Sequence, residues 1–163
     1  MQVPILSYTQ ISHKLKRMAY EIWEANSGEE EVIIFGIAEG GAVLAAALKH
    51  ILDQESDLKT SLEILRFDKS RVSSFRYSPE HDISGKSIVL VDDVANSGKT
   101  LLYAMKPLLD FEPKRIQLTV LVDRKHKNYP VVPDVIGYSV ASTLQEHIRV
   151  TFEGDKITGA YLE

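Results

Sequence analysis

With 163 residues, no cysteine and a formal net charge of −4, the chain is long enough for one domain with a real core; it has no disulfide or thiolate metal site and no overall field favouring nucleic acid. Hydrophobic content of 44% and charged content of 26% are those of an ordinary folded domain rather than a disordered one. No apolar run approaches the roughly 18–20 residues that cross a bilayer, and Met1-Gln2-Val3-Pro4 lacks the basic and apolar regions of a signal peptide, so a cytoplasmic location and no membrane partner are expected.

Residues 7–26 place Ile11, Leu15, Met18, Ala19, Ile22 and Trp23 at helical spacing, with Ser7 and Gln10 as a capping box and Gly28 as the stop. This stretch reads as a helix packed on a sheet, without chemistry. Glu29-Glu30-Glu31 is a solvated acidic turn, and residues 32–37 form the first buried strand. A turn over 38–41 and a helix over 42–52 follow. The adjacent Gly40 and Gly41 let a ligand approach the main chain, although a plain turn also uses glycine. Residues 53–57 read as a polar loop and 60–67 as a strand carrying Leu62, Ile64 and Leu65. From 68 to 87 there is no clear period. Lys69, Arg71, Ser73-Ser74, Phe75, Arg76 and Tyr77 suit either a functional flap or a hairpin of exposed strands, with the basic residues equally readable as a solvated face.

Residues 88–100 concentrate the chemistry. The run Ile88-Val89-Leu90-Val91 does not alternate, which suits a strand buried on both faces, and Asp92-Asp93 then lie at its carboxyl end, where open α/β sheets bind ligands. Asn96-Ser97-Gly98-Lys99-Thr100 leads into a helix over 101–111 that contains Pro107, expected to bend it. A helix N-terminus offers unpaired N–H groups and a favourable dipole to a phosphate. Residues 116–122 form a further strand ending at Asp123-Arg124; 125–130 is a loop in which His126 reads as an ordinary loop histidine. Residues 135–140 form a short strand, and 148–152 and 157–162 flank 153–156 as a terminal hairpin. The alternation of strand, turn and helix predicts a single α/β domain over 1–163, with a mainly parallel, Rossmann-like central sheet flanked by helices, a flexible flap at about 68–87 and a small C-terminal hood.

The run 89–94 with Ser97-Gly98-Lys99-Thr100 resembles the phosphoribosyl pyrophosphate (PRPP) motif of type I phosphoribosyltransferases. Leu121-Val122-Asp123-Arg124, then His126, Pro130, Asp134, Ile136 and Gly137, look most like the branch of bifunctional pyrimidine-operon attenuators and uracil phosphoribosyltransferases. The resemblance implies that Asp92 and Asp93 are the catalytic acids, binding the ribose hydroxyls directly or through Mg²⁺. It implies that Asn96, Ser97, Gly98, Lys99 and Thr100 hold the 5′-phosphate, and that residues 38–41, with Glu39 and Gly40, face the pyrophosphate. Arg124, Val135 and Ile136 would meet the base. The implied partners are PRPP and a nucleobase, uracil favoured, with Mg²⁺ as cofactor. A homo-oligomer of two or more copies is expected, and RNA, the attenuators' target, has no support in the net charge. The chain departs from the family pattern at four positions in three places. Ala38 and Glu39 stand where the branch carries basic residues, Asn96 where purine enzymes carry an acid, and Val135 where an aromatic often stacks on the base. The first of these motivates a further reading, a catalytically weakened nucleotide-binding homologue.

Overall fold

The computed structural model describes residues 1–78, 80, 82–143 and 145–163. Five strands, β2 (Glu31–Ile37), β3 (Lys59–Leu65), β4 (Ser87–Ala95), β5 (Arg115–Arg124) and β6 (Val135–Val140), form a wholly parallel sheet in the order β3-β2-β4-β5-β6. Its central strand is β4, whose residues 87–92 are all buried. Neighbouring residues on these strands serve opposite faces. Val32, Ile34, Val89 and Val91 pack with α1 (Tyr8–Ala25) and α2 (Gly40–Glu55), while Ile33, Phe35, Ile88 and Leu90 pack with α3 (Lys99–Leu109). Burial on both faces explains the unbroken apolar runs.

Both ends of α1 are set by named side chains. Ser7 accepts from the Gln10 N–H and the Gln10 side chain accepts from the Ser7 N–H, completing the expected capping box. The helix ends at Asn26, before Gly28 is reached. Asn26 is fully buried; its Nδ2 donates to Ile22 O (2.7 Å) and Gln117 Oε1 (3.2 Å), and its Oδ1 accepts from Ser87 Oγ (2.7 Å) and Arg115 Nη2 (2.9 Å). These bonds tie α1 to the amino-terminal ends of β4 and β5, a role the helical periodicity does not reveal. Helix α3 continues through Pro107 to Leu109.

The terminal hairpin, β7 (Ile148–Glu153) and β8 (Lys156–Leu162), gains a third strand that the sequence reading did not anticipate, β1 (Val3–Ser7), which pairs antiparallel with β8. This sheet, β1-β8-β7, is the hood. Residues 68–87 do not form a hairpin of exposed strands in their described part: Asp68 bridges Arg71 and a 3₁₀ turn spans Val72–Ser74. Phe75 and Ile83 are buried in the α3-side core, and Tyr77 lies edge-on to Phe35 (5.1 Å) and Phe111 (5.5 Å) with its hydroxyl donating to Glu63 Oε2 at 2.7 Å. Pro79 and His81, within the expected flap, lie outside the described residues. No helix among the described residues is long and apolar enough to cross a membrane.

Candidate active site

Strand order places the crevice. Chain progression runs from β2 through α2 to β3 on one side, then returns to β4 and proceeds through β5 to β6 on the other, so the switch point lies between β2 and β4. Pairing of β2 with β4 ends at Gly36 and Val91, whereas β4 stays paired with β5 as far as Ala95 and Asp123. Asp92 and Asp93 therefore stand beyond the end of the β2–β4 ladder. A cleft of about 290 Å³ opens there, lined by residues 38–40, Asp92, Asp93, Asn96, Thr100, His147 and Arg149 among others. A second hollow of about 240 Å³, lined by residues 94–101 with Asp92 and His147, continues it over the turn into α3.

The loop 38–41 approaches the acid pair closely at its two glycines. A Cβ on Gly40 would lie 2.6 Å from Asp93 Cγ, and one on Gly41 would lie 2.9 Å from Asp92 Cα and against Val91 O. The peptide between Ala38 and Glu39 is cis, and Glu39 is exposed. Asp92 Oδ1 accepts from the Asp93 N–H (2.9 Å) and Asp93 Oδ1 from the Val94 N–H (3.0 Å), so both carboxylates are held by the backbone beside them. Burial of Asp92, with the neighbouring Asp93 charge second, pushes its carboxyl well above the usual carboxylate range.

Two helix N-termini meet this cleft, and neither has a side-chain cap. Helix α2 starts after Glu39 and α3 after Gly98, whose φ of 80° favours glycine, whereas α1, remote from the cleft, is closed by its capping box. The turn into α3 is braced by Lys99 N–H donating to Ser97 Oγ (3.2 Å) and by Tyr129 N–H donating to Ser97 O (3.0 Å). The leading N–H groups of α2 and α3, apart from those of Ala42 and Lys99 that are already bonded, lie beside two carboxylates and suit a ligand with anionic groups at both ends and hydroxyls between.

The expected residues divide into two sets. Asp92, Asp93, Glu39, Gly40, Asn96, Ser97, Gly98, Lys99 and Thr100 line the continuous cleft. Arg124, Val135 and Ile136 are not among its lining residues. Val135 is 2% exposed and packed in the α1-side core, so its side chain offers a base no stacking face. The carbonyls of Ile136 and Gly137 accept from Arg17 Nη2 at 3.1 and 2.7 Å, so the main chain at Ile136 is engaged by α1. Arg124, at the carboxyl end of β5, is buried, donates to Thr143 O, and has an unpartnered Nε. Beside it, Asp123 is paired with Lys127 at 2.7 Å. The sequence reading missed His147 and Arg149. His147 lies just before, and Arg149 within, a strand that looked purely structural, about fifty residues from the acid pair.

The phosphoribosyl transferase domain family matches residues 5–150. A bifunctional protein PyrR from Limosilactobacillus reuteri subsp. reuteri (strain JCM 1112) is 32% identical, covering 91% of this chain and 90% of its own. Another, from Streptomyces coelicolor, is 36% identical, covering 90% and 81%. Among solved structures, a hypoxanthine-guanine phosphoribosyltransferase from Bacillus anthracis superposes with a TM-score of 0.78 at 18% identity over 97% of this chain and 96% of its own. The hypoxanthine phosphoribosyltransferase of Trypanosoma cruzi gives 0.74 at 17% over 84% and 81%. At those identities the structures establish the shared fold, while the family match and the PyrR relatives establish descent: the chain belongs to the type I phosphoribosyltransferases.

Proposed function

We propose that the chain transfers the 5-phosphoribosyl group of PRPP to uracil and releases pyrophosphate. The observation that carries this reading is the acid pair, buried Asp92 beside partly exposed Asp93, set between the N-termini of α2 and α3 in one cleft. In the transfer a nitrogen of the base bonds to the ribose C1 as the bond from C1 to the pyrophosphate oxygen breaks, and the base loses its proton. The charge that develops on the ribose has oxocarbenium character. Asp92 and Asp93 accept hydrogen bonds from the ribose hydroxyls and place negative charge beneath that developing cation. The N–H groups at the start of α3, with Ser97 and Thr100, hold the 5′-phosphate, and those at the start of α2, at Glu39 and Gly40, face the pyrophosphate.

The donor set fits Mg²⁺. Two adjacent carboxylates are available, one of them raised in pKa by burial and by its neighbour, and no group of three or more His, Cys, Asp or Glu ligands occurs among the described residues. Mg²⁺ commonly binds through one or two carboxylates with substrate phosphates and water completing its shell. When bound it neutralises the leaving pyrophosphate, which matters here because Glu39 adds no positive charge.

Uracil is favoured over a purine by Asn96, whose amide has no group able to take up a proton, and by the PyrR relatives. Arg124, with its free Nε, is the side chain we expect to answer an exocyclic oxygen of the base. The test is pyrophosphate release from PRPP and Mg²⁺ with uracil, hypoxanthine, guanine and xanthine in turn. Release with uracil is expected; release with purines alone overturns the base choice, and none with any base leaves a nucleotide-binding homologue. The relatives' description as bifunctional favours a second role, for which the resemblance to attenuators suggests RNA; salt-sensitive binding of leader RNA that responds to uridine nucleotides is its test. We also propose that the chain works in the cytoplasm, which the absence of cysteine supports, and as a homo-oligomer, which sedimentation analysis tests.

A further inference from the structure

Asn96 stands where β4 passes into the phosphate turn, and both ends of its amide engage a single residue of the hood. Nδ2 donates to Ile148 O at 3.2 Å and Oδ1 accepts from Ile148 N–H at 3.2 Å. This is the exchange a neighbouring strand would make with β7. One residue earlier, His147 and Glu163 exchange both backbone hydrogen bonds at 2.9 Å. The main chain of 147–148 is thus gripped on both edges, and the Ile148 side chain anchors it in the core at 1% exposure. His147 is exposed and lines both halves of the cleft, the acid-pair side and the phosphate-turn side.

We infer that Asn96 is a positioning residue: it latches the hood to the phosphate turn and thereby sets His147 against the phosphoribosyl group, to which the imidazole donates a hydrogen bond. The inference rests on the reading of the cleft as a PRPP site. Asn96 then acts through His147 rather than on the ligand, and the turn that receives the 5′-phosphate and the histidine that closes over it move as one unit.

A double-mutant cycle tests this. PRPP affinity by calorimetry, with kcat and KM for PRPP, is measured for Asn96→Ala, His147→Ala and the pair. Each single change weakens PRPP binding about tenfold, as expected for losing one or two modest hydrogen bonds, with kcat changed less. The double variant is no weaker than the weaker single, because the latch matters only while the imidazole is present. Asn96→Asp, which keeps the acceptor for Ile148 N–H and loses the donor, falls between wild type and Asn96→Ala and provides a second arm should Asn96→Ala melt below the assay temperature. Additive losses, about a hundredfold in the pair, or an unaffected His147→Ala, overturn the inference. Wild-type protein that fails to bind PRPP overturns the proposed function instead, so the two failures are distinguishable.

Discussion

Asp92→Asn is expected to stabilise the protein while abolishing transfer. Asp92 is 8% exposed and lies beside Asp93, and burial first, then the Asp93 charge, raise its carboxyl well above the usual range. The folded chain therefore holds this proton more tightly than the unfolded chain does. The stability this confers is fully present below the unfolded carboxylate value, about 3.9, and is lost as pH rises through the raised folded value. Above that the native state carries a buried charge that the unfolded state leaves in water. Each unit between the two values costs about 1.4 kcal/mol, and for a chain of this length each kcal/mol moves Tm by ~2–4 °C, so the gain on substitution is roughly 3–6 °C per unit. Asparagine has the same shape, and its oxygen can still accept from the Asp93 N–H, which lies 2.9 Å away in the wild type. Calorimetric melts of both proteins in chelator-treated buffer should show the variant melting higher at pH 8 and the two converging at pH 3.5. A variant that melts lower at pH 8, or a difference independent of pH, refutes the reasoning.

Gly41→Ala brings a Cβ against the backbone of the central strand, 2.9 Å from Asp92 Cα, and should cost about 1–3 kcal/mol in a circular-dichroism melt. Gly40→Ala meets the Asp93 carboxyl instead, which can swing aside, so it should lose PRPP affinity with a smaller change in Tm. Asn26→Ala strands Ser87 and Arg115 at the far end of the sheet and should lower stability by about 2–3 kcal/mol while leaving pyrophosphate release at 25 °C unchanged. Arg124→Gln should change the ratio of kcat/KM for uracil over hypoxanthine more than it changes PRPP affinity; an unaltered ratio removes Arg124 as the base reader.

Features set by local chemistry were legible in the sequence. The Ser7–Gln10 capping box, the unbroken apolar run of β4 ending in Asp92-Asp93, and the terminal hairpin each follow from neighbours within a few positions. What was missed depends on distant partners. Strand β1 is five residues long, contains Pro4, and exists because β8 pairs with it from the other end of the chain. Asn26 stands in the sequence only as the last residue of the expected helix, ahead of the stop at Gly28, yet its value lies in four bonds, three of them to residues more than sixty positions away. Asn96 lies inside a recognisable phosphate turn, but that its amide faces Ile148 is a fact of the hood's placement. The placement of Val135 was illegible for a related reason: it sits on a strand whose alternation does not say which face meets the core, and its side chain meets the core.

The most direct test of the central claim is calorimetric titration of PRPP with Mg²⁺ into the wild-type chain and into Asp93→Asn. Asp93 is partly exposed in the cleft and makes its own backbone bond to Val94 N–H, so the amide preserves the fold while removing a charge from the sugar site. The wild type is expected to bind PRPP, and the variant, melting at a similar temperature, to lose most of that affinity. Equal affinity in the two proteins would contradict the claim.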